Sequence, residues 1–178
     1  MSHSLDQLLD RFETPYPEEL AYKARFYELL KEPWCFERKN LKGHFTGSCW
    51  VTNPSRDKVL MLHHVKLDRW LQPGGHADGN EDLLAVAMKE LEEETGIMDY
   101  VEVTDQLFDI DVHTIPARKN VPEHEHFDSR FHFIVKDNLT LNINEESKAL
   151  QWVPIDSVPE LTNNEASFIR MVDKTKAL

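Results

Sequence analysis

Along the first thirty residues, apolar positions recur at three and four. Leu5, Leu8, Leu9 and Phe12 share one helical face, and Thr14-Pro15-Tyr16-Pro17 breaks the run. A second helix follows, with Leu20, Ala24, Tyr27 and Leu30 or Lys31 as its stripe. Glu18 and Glu19 favour its first turn, and Pro33 stops it. Beyond Gly43 the period shortens to that of strands. Ser48 to Thr52 and Lys58 to Val65 read as two strands joined by the turn Asn53-Pro54-Ser55-Arg56-Asp57. After Gly74 and Gly75 comes a helical window from Glu81 to Thr95, terminated by Gly96. Leu107 to Ile115 and His126 to Val135 alternate in polarity, Ala149 to Val153 reads as a short strand, and Asn164 to Lys174 as a closing helix. This order predicts a mixed α/β or α+β domain over residues 43–178, with residues 1–40 as an N-terminal helical extension.

Composition narrows the function. The chain has 178 residues, enough for one well-formed core, and 32 Asp+Glu against 20 Lys+Arg give a net charge of -12. Such an acidic surface disfavours general nucleic-acid binding, which needs positive charge at each phosphate. Cys35 and Cys49 form no CxxC pair, the first residues lack a signal-peptide pattern, and no apolar run reaches membrane-spanning length. The expectation is a soluble, cytoplasmic protein with no membrane partner.

Within the central helix, Lys89-Glu90-Leu91-Glu92-Glu93-Glu94 concentrates acids. At about 100° per residue, Glu90, Glu93 and Glu94 fall at roughly 0°, 300° and 40°, on one face. Leu84, Met88, Leu91 and Thr95 form a separate stripe, the one expected to be buried. Like charges at these spacings cost roughly 0.2–0.5 kcal/mol per pair. Either this is a solvated acidic face, or a hard divalent cation such as Mg²⁺ or Mn²⁺ compensates the cluster.

The wider spacing decides between them. Gly75 is followed after five residues by Glu81, and after seven more by Lys89-Glu90-Leu91-Glu92-Glu93-Glu94-Thr95-Gly96-Ile97. This resembles the signature of the Nudix hydrolases at every position but one. The two Gly and four Glu alone would coincide by chance on the order of once in 10⁷. Trp70-Leu71-Gln72-Pro73-Gly74-Gly75 and Leu150-Gln151-Trp152-Val153-Pro154 are also similar to that family's usual surroundings. The resemblance implies an α/β/α sandwich with a mixed sheet, and hydrolysis of a nucleoside diphosphate linked to another moiety. It assigns Glu90, Glu93 and Glu94 to catalysis and divalent metal, and the Gly75 carbonyl to the metal. Lys89 replaces the usual Arg; the charge is kept but the planar fork is lost.

Substrate recognition is sought on the alternating strands. His124, His126, Asp128, Arg130 and His132 occupy one face, and Asp109, Asp111 and His113 the corresponding face of the earlier strand. Paired as a hairpin, these polar faces would converge. His126, Asp128, Arg130, Arg118 and Lys119 are candidate substrate contacts, and Glu123 and Glu125 candidate additional carboxylates. The competing reading is an ordinary solvent face with a charged loop. His124, His126 and Asp128 also form a weak transition-metal pattern. Trp70 and Trp152 suit either base stacking or the core, and Cys49 suits the core.

The leading expectation is a metal-dependent phosphoanhydride hydrolase acting on a small nucleotide-derived substrate. An isopentenyl-diphosphate isomerase-like enzyme shares the architecture, although such enzymes usually carry a degraded box. A non-catalytic nucleotide sensor is the third reading, opposed by the intact glutamates. The apolar stripes of the two N-terminal helices suggest a homodimer.

Overall fold

The structure, a computed structural model, describes residues 3–118 and 121–178. Among the described residues the α-helices are α1 (Leu5–Arg11), α2 (Pro17–Leu30), α3 (Leu83–Thr95), α4 (Val158–Leu161) and α5 (Ala166–Lys176). The strands there are β1 (Gly43–Thr52), β2 (Lys58–His64), β3 (Arg69–Leu71), β4 (Gly74–His76), β5 (Glu102–Val103), β6 (Asp109–Ile115), β7 (His124–Ile134) and β8 (Ser147–Pro154). The fold is α+β. The chain divides into two compact units that interleave in sequence. The first takes the chain up to Ser48, Gly74–Ala87 and Asp105–Phe131, and the second takes Cys49–Pro73, Met88–Thr104 and His132–Leu178.

In the first unit, β4 pairs antiparallel with the start of β1, and β6 with β7 from Asp109↔Arg130 to Ile115↔His124. Its core is aromatic: Phe26 of α2 lies 5.4 Å from both Phe45 and Phe127, centroid to centroid. The N-terminal helices are therefore part of this core. The stripe expected on α2 is rotated, because Leu20 is exposed while Glu19, Phe26 and Leu29 are buried. Glu19 sits inside because its carboxylate accepts the Ile110 backbone N–H of β6 at 3.2 Å and the Thr14 hydroxyl proton. The apolar stripe of α1, Leu5, Leu8, Leu9 and Phe12, is buried, whereas Leu20 and Ala24 of the stripe expected on α2 are exposed.

In the second unit, β2 is flanked by β3 and β8, both antiparallel, and Thr52 of β1 pairs with Val59. Trp50 and Phe168 pack at 6.4 Å, and the Trp50 indole N–H donates to Thr175 Oγ1 on α5 at 2.8 Å. Within the first unit, β1 and β7 are neighbours. His44 stacks on His124 and Ser48 meets Asp128, a constant offset along both strands, so this pair is parallel and the sheet is mixed. Every residue of β1 is buried, as suits a strand covered on both faces. Among the described residues, no helix is long and apolar enough to cross a membrane.

Candidate functional site

Helix α3 is held firmly at each end. The Ala85 N–H donates to Asp82 Oδ1 at 3.0 Å, an N-cap bond, which explains why the helix begins at Leu83 and not at Glu81. Its first turn lies close to β1, where a Cβ on Gly47 would come within 2.6 Å of the Leu83 carbonyl oxygen. At the far end Gly96 takes φ +76 and its N–H donates to the Glu92 carbonyl at 2.8 Å. The Thr95 carbonyl accepts from the Asn142 N–H at 2.8 Å, and the Glu93 carbonyl from the Asn144 side-chain amide at 3.1 Å.

The buried face of α3 differs from the expected stripe. Leu83, Val86, Ala87 and Leu91 are buried, together with Glu94 and Thr95, while Leu84 and Met88 are only half-buried. The inward direction is turned toward the acids, so that Glu94 stands at 6% exposure in line with Ala87 and Leu91. Glu90 is largely buried, with a side chain 17% exposed, whereas that of Glu93 is 55% exposed. Hydrophobic periodicity weights a Glu as outward-facing and so misplaces this face. A carboxylate at Glu94's depth keeps its charge only against opposite charge or donated hydrogen bonds.

Lys89 bridges two of the acids. Its Nζ donates to Glu93 Oε2 at 2.9 Å and lies 3.6 Å from Glu90 Oε1. The Glu93 hydrogen bond, with the charges of Glu90 and Glu93, holds the Lys89 ammonium above the usual lysine range. Gly75 lies in β4 opposite Gly47 of β1.

The β6–β7 hairpin brings the alternating polar faces together, and most of their residues are buried. Arg130 is 3% exposed, and its Nε donates to Asp128 at 2.8 Å, Nη1 to Asp109 at 3.1 Å and Nη2 to Asp111 at 3.2 Å. Burial opposes its charge, yet Asp111, Asp128 and Asp109 together hold the guanidinium protonated above its ordinary range. Asp128 also accepts from Thr46 Oγ1 at 2.9 Å and Ser48 Oγ at 2.6 Å on β1. Asp128 and Arg130, the candidate substrate contacts, are thereby engaged with one another and with Asp109, Asp111, Thr46 and Ser48. They form an interior charge network, with the fork of the guanidinium spent on aspartates.

Among the described residues, the group whose ligand atoms lie close enough to hold a metal ion is His44 of β1 with His124 and His126. Sequence reading missed His44, Thr46 and Ser48, since nothing local in β1 indicates their pairing with β7. Arg118 is exposed, with backbone hydrogen bonds to Val121, and Lys119 lies outside the described residues. Glu123 is exposed, while Glu125 pairs with Arg25 of α2 at 2.5 Å. Trp70 stacks on His63 at 5.1 Å and 13°, and Trp152 sits in β8 opposite Leu60. Cys49 and Cys35 are buried free thiols.

Known proteins resemble this chain in sequence and fold. A family model described as NUDIX domain matches residues 44–172. A Lactococcus lactis subsp. cremoris protein named "Probable DHNTP pyrophosphohydrolase" is 32% identical over 77 residues, 42% of this chain and 45% of that protein. The match thus spans less than half of that relative. Among solved structures, the E. coli dihydroneopterin triphosphate pyrophosphohydrolase superposes with TM-score 0.58 at 15% identity, covering 75% of this chain and 96% of the other. A MutT protein from Bacillus halodurans gives 0.53 at 26% identity, over 71% and 78%. A C. elegans Ap4A hydrolase gives 0.53 at 16%, over 75% and 95%. On the family match over most of its length, the chain belongs to the NUDIX domain family.

Proposed function

We propose that this protein is a divalent-cation-dependent pyrophosphohydrolase that cleaves a phosphoanhydride bond in a nucleoside diphosphate linked to another group. The observation that carries the reading is the arrangement of Glu90, Glu93 and Glu94 on α3: two carboxylates turned inward, the third tethered by Lys89. Hard carboxylate oxygens on one rigid helix face suit Mg²⁺ or Mn²⁺. A bound divalent ion supplies charge that offsets both carboxylates and pyrophosphate, polarises the phosphoryl group and lowers the pKa of water. The residues of the chain hold the donor atoms in place. Glu94 and Glu90 present oxygens from a partly desolvated face, where electrostatic interactions are stronger than in water. Lys89 restrains the exposed Glu93.

A substrate panel tests the reading. It comprises nucleoside diphosphate sugars, ADP-ribose, nucleoside triphosphates, dinucleoside polyphosphates, dihydroneopterin triphosphate and isopentenyl diphosphate, each with Mg²⁺ or Mn²⁺. Hydrolysis of at least one phosphoanhydride is expected, abolished by chelator and reduced at least 100-fold in Glu93→Gln and Glu94→Gln. Full rates in both folded variants would remove the site assignment. Conversion of isopentenyl diphosphate without phosphate release would replace hydrolysis by isomerisation, and saturable binding without any turnover would make the protein a sensor.

A further inference from the structure

We propose that His44, His124 and His126 form a binding site for a divalent transition-metal ion of the Zn²⁺ class, separate from the glutamates of α3. One ligand atom from each of the three lies within 4.8 Å of the others. In a tetrahedral site with Zn–N near 2.1 Å, nitrogens stand roughly 3.4 Å apart, so ring rotations of about an ångström close the site. The ring centroids are already 4.8–5.3 Å apart: 5.1 Å for His44 and His124, 4.8 Å for His44 and His126, and 5.3 Å for His124 and His126.

The hydrogen bonds select the ligating form of two rings. His44 Nδ1 donates to the Asn40 carbonyl at 3.4 Å, and His124 Nδ1 to the Pro122 carbonyl at 2.9 Å. A carbonyl can only accept, so in each ring the proton is on Nδ1 and the lone pair on Nε2. Metal-bound histidines are held in this way by their second nitrogen. His44 is 2% exposed, and its Nε2 is buried with no hydrogen-bond partner, as is Nε2 of His126. Buried ring nitrogens left unpaired oppose folding, and a metal ion is the partner that converts both into favourable contacts.

The donor set defines the ion. Three neutral imidazoles suit Zn²⁺, Co²⁺ or Ni²⁺, whereas Mg²⁺ prefers oxygen. The carboxylate that could have hardened the site, Asp128, is engaged by Thr46, Ser48 and Arg130. His76, 5.2 Å from His44 and 4.8 Å from His126, borders the site, and His113 lies 5.5 Å from His126. Three protein ligands leave one position of a tetrahedral ion for water or another molecule.

The experiment titrates the chelator-stripped full-length protein with Co²⁺ in millimolar Mg²⁺, and then displaces Co²⁺ with Zn²⁺. One equivalent of Co²⁺ is expected to bind with the intense visible bands of four-coordinate cobalt. His44→Ala and His126→Ala are expected to weaken binding at least 100-fold, while Glu93→Gln and Glu94→Gln leave it unchanged. Absence of those bands in the wild type, or their retention in the folded histidine variants, overturns the site. So does loss of cobalt binding in the glutamate variants alone. Should a histidine variant fail to fold, imidazole ¹⁵N spectra of the wild type decide: Zn²⁺ is expected to shift Nε2 of three histidines, and no shift overturns the proposal.

Discussion

Lys89 Nζ lies 2.9 Å from Glu93 Oε2, one turn further along α3, with both side chains more than half exposed. A lysine preceding its acid is the weaker order for such a pair, and exposed i,i+4 pairs contribute about 0.3–0.5 kcal/mol. Its value to stability is therefore small, and its value to the position of Glu93 is larger. Lys89→Met is expected to leave the thermal midpoint within about 2 °C, since a loss of this size moves a domain of this length by no more than that. The same variant should lower kcat/KM roughly tenfold, an expected loss of about 1.4 kcal/mol in transition-state stabilisation. Lys89→Arg should restore the rate, because its fork can hold the carboxylate through two donors. Paired melts and kinetics check this, and an unchanged rate in Lys89→Met would mean that Glu93 needs no tether.

Arg130 occupies the opposite regime. Its three aspartates are buried with it, and removing the guanidinium leaves uncompensated charge in the interior. Breaking a buried ion pair by deleting one partner costs about 3–5 kcal/mol, so Arg130→Met is expected to destabilise by at least that much. Arg130→Lys should recover only part of the loss, since one ammonium cannot reproduce donation from Nε, Nη1 and Nη2. Ser48→Ala removes one of the hydroxyls that serve Asp128 and should cost about 1 kcal/mol. Urea unfolding of the three variants orders these effects. An Arg130→Met variant as stable as the wild type would show that the aspartates are protonated or hydrated.

What could be read from the chain beforehand was what is local. The box from Gly75 to Ile97 is contiguous, so its carboxylate helix and the Gly96 stop are visible in one window. The alternation in β6 and β7 likewise indicated converging polar faces, though not that Arg130 would be held there by Asp109 and Asp111. The inward turn of Glu94 was hidden, because amphipathic patterns treat every carboxylate as solvent-seeking. So was the burial of Glu19, which reads as an ordinary first-turn acid but answers the Ile110 N–H. His44 was hidden for a topological reason. It meets His124 and His126 only because the β1–β7 pair brings together residues some eighty positions apart. Strands as short as β3, β4 and β5 carry no periodicity at all.

His132 makes stability depend on pH. It is 3% exposed, with Nε2 2.8 Å from Thr52 Oγ1, and burial, with the Arg56 charge adding to it, pushes it from 6.5 down to about 4. Between pH 6.5 and 4 the unfolded chain binds a proton at this position that the folded chain excludes, so stability rises with pH across that window. The contribution is fully present above pH 6.5 and is lost as pH falls toward 4, on the order of 3 kcal/mol in total and about 1.4 kcal/mol per pH unit. His132→Gln keeps a polar group near Thr52 but cannot titrate. Its stability at neutral pH should fall modestly, while its decline from pH 7 to 4.5 should be shallower than the wild type's by about that slope. Urea midpoints of the chelator-treated proteins at several pH values measure the difference, and parallel curves for the two would show that His132 is already charged in the folded protein.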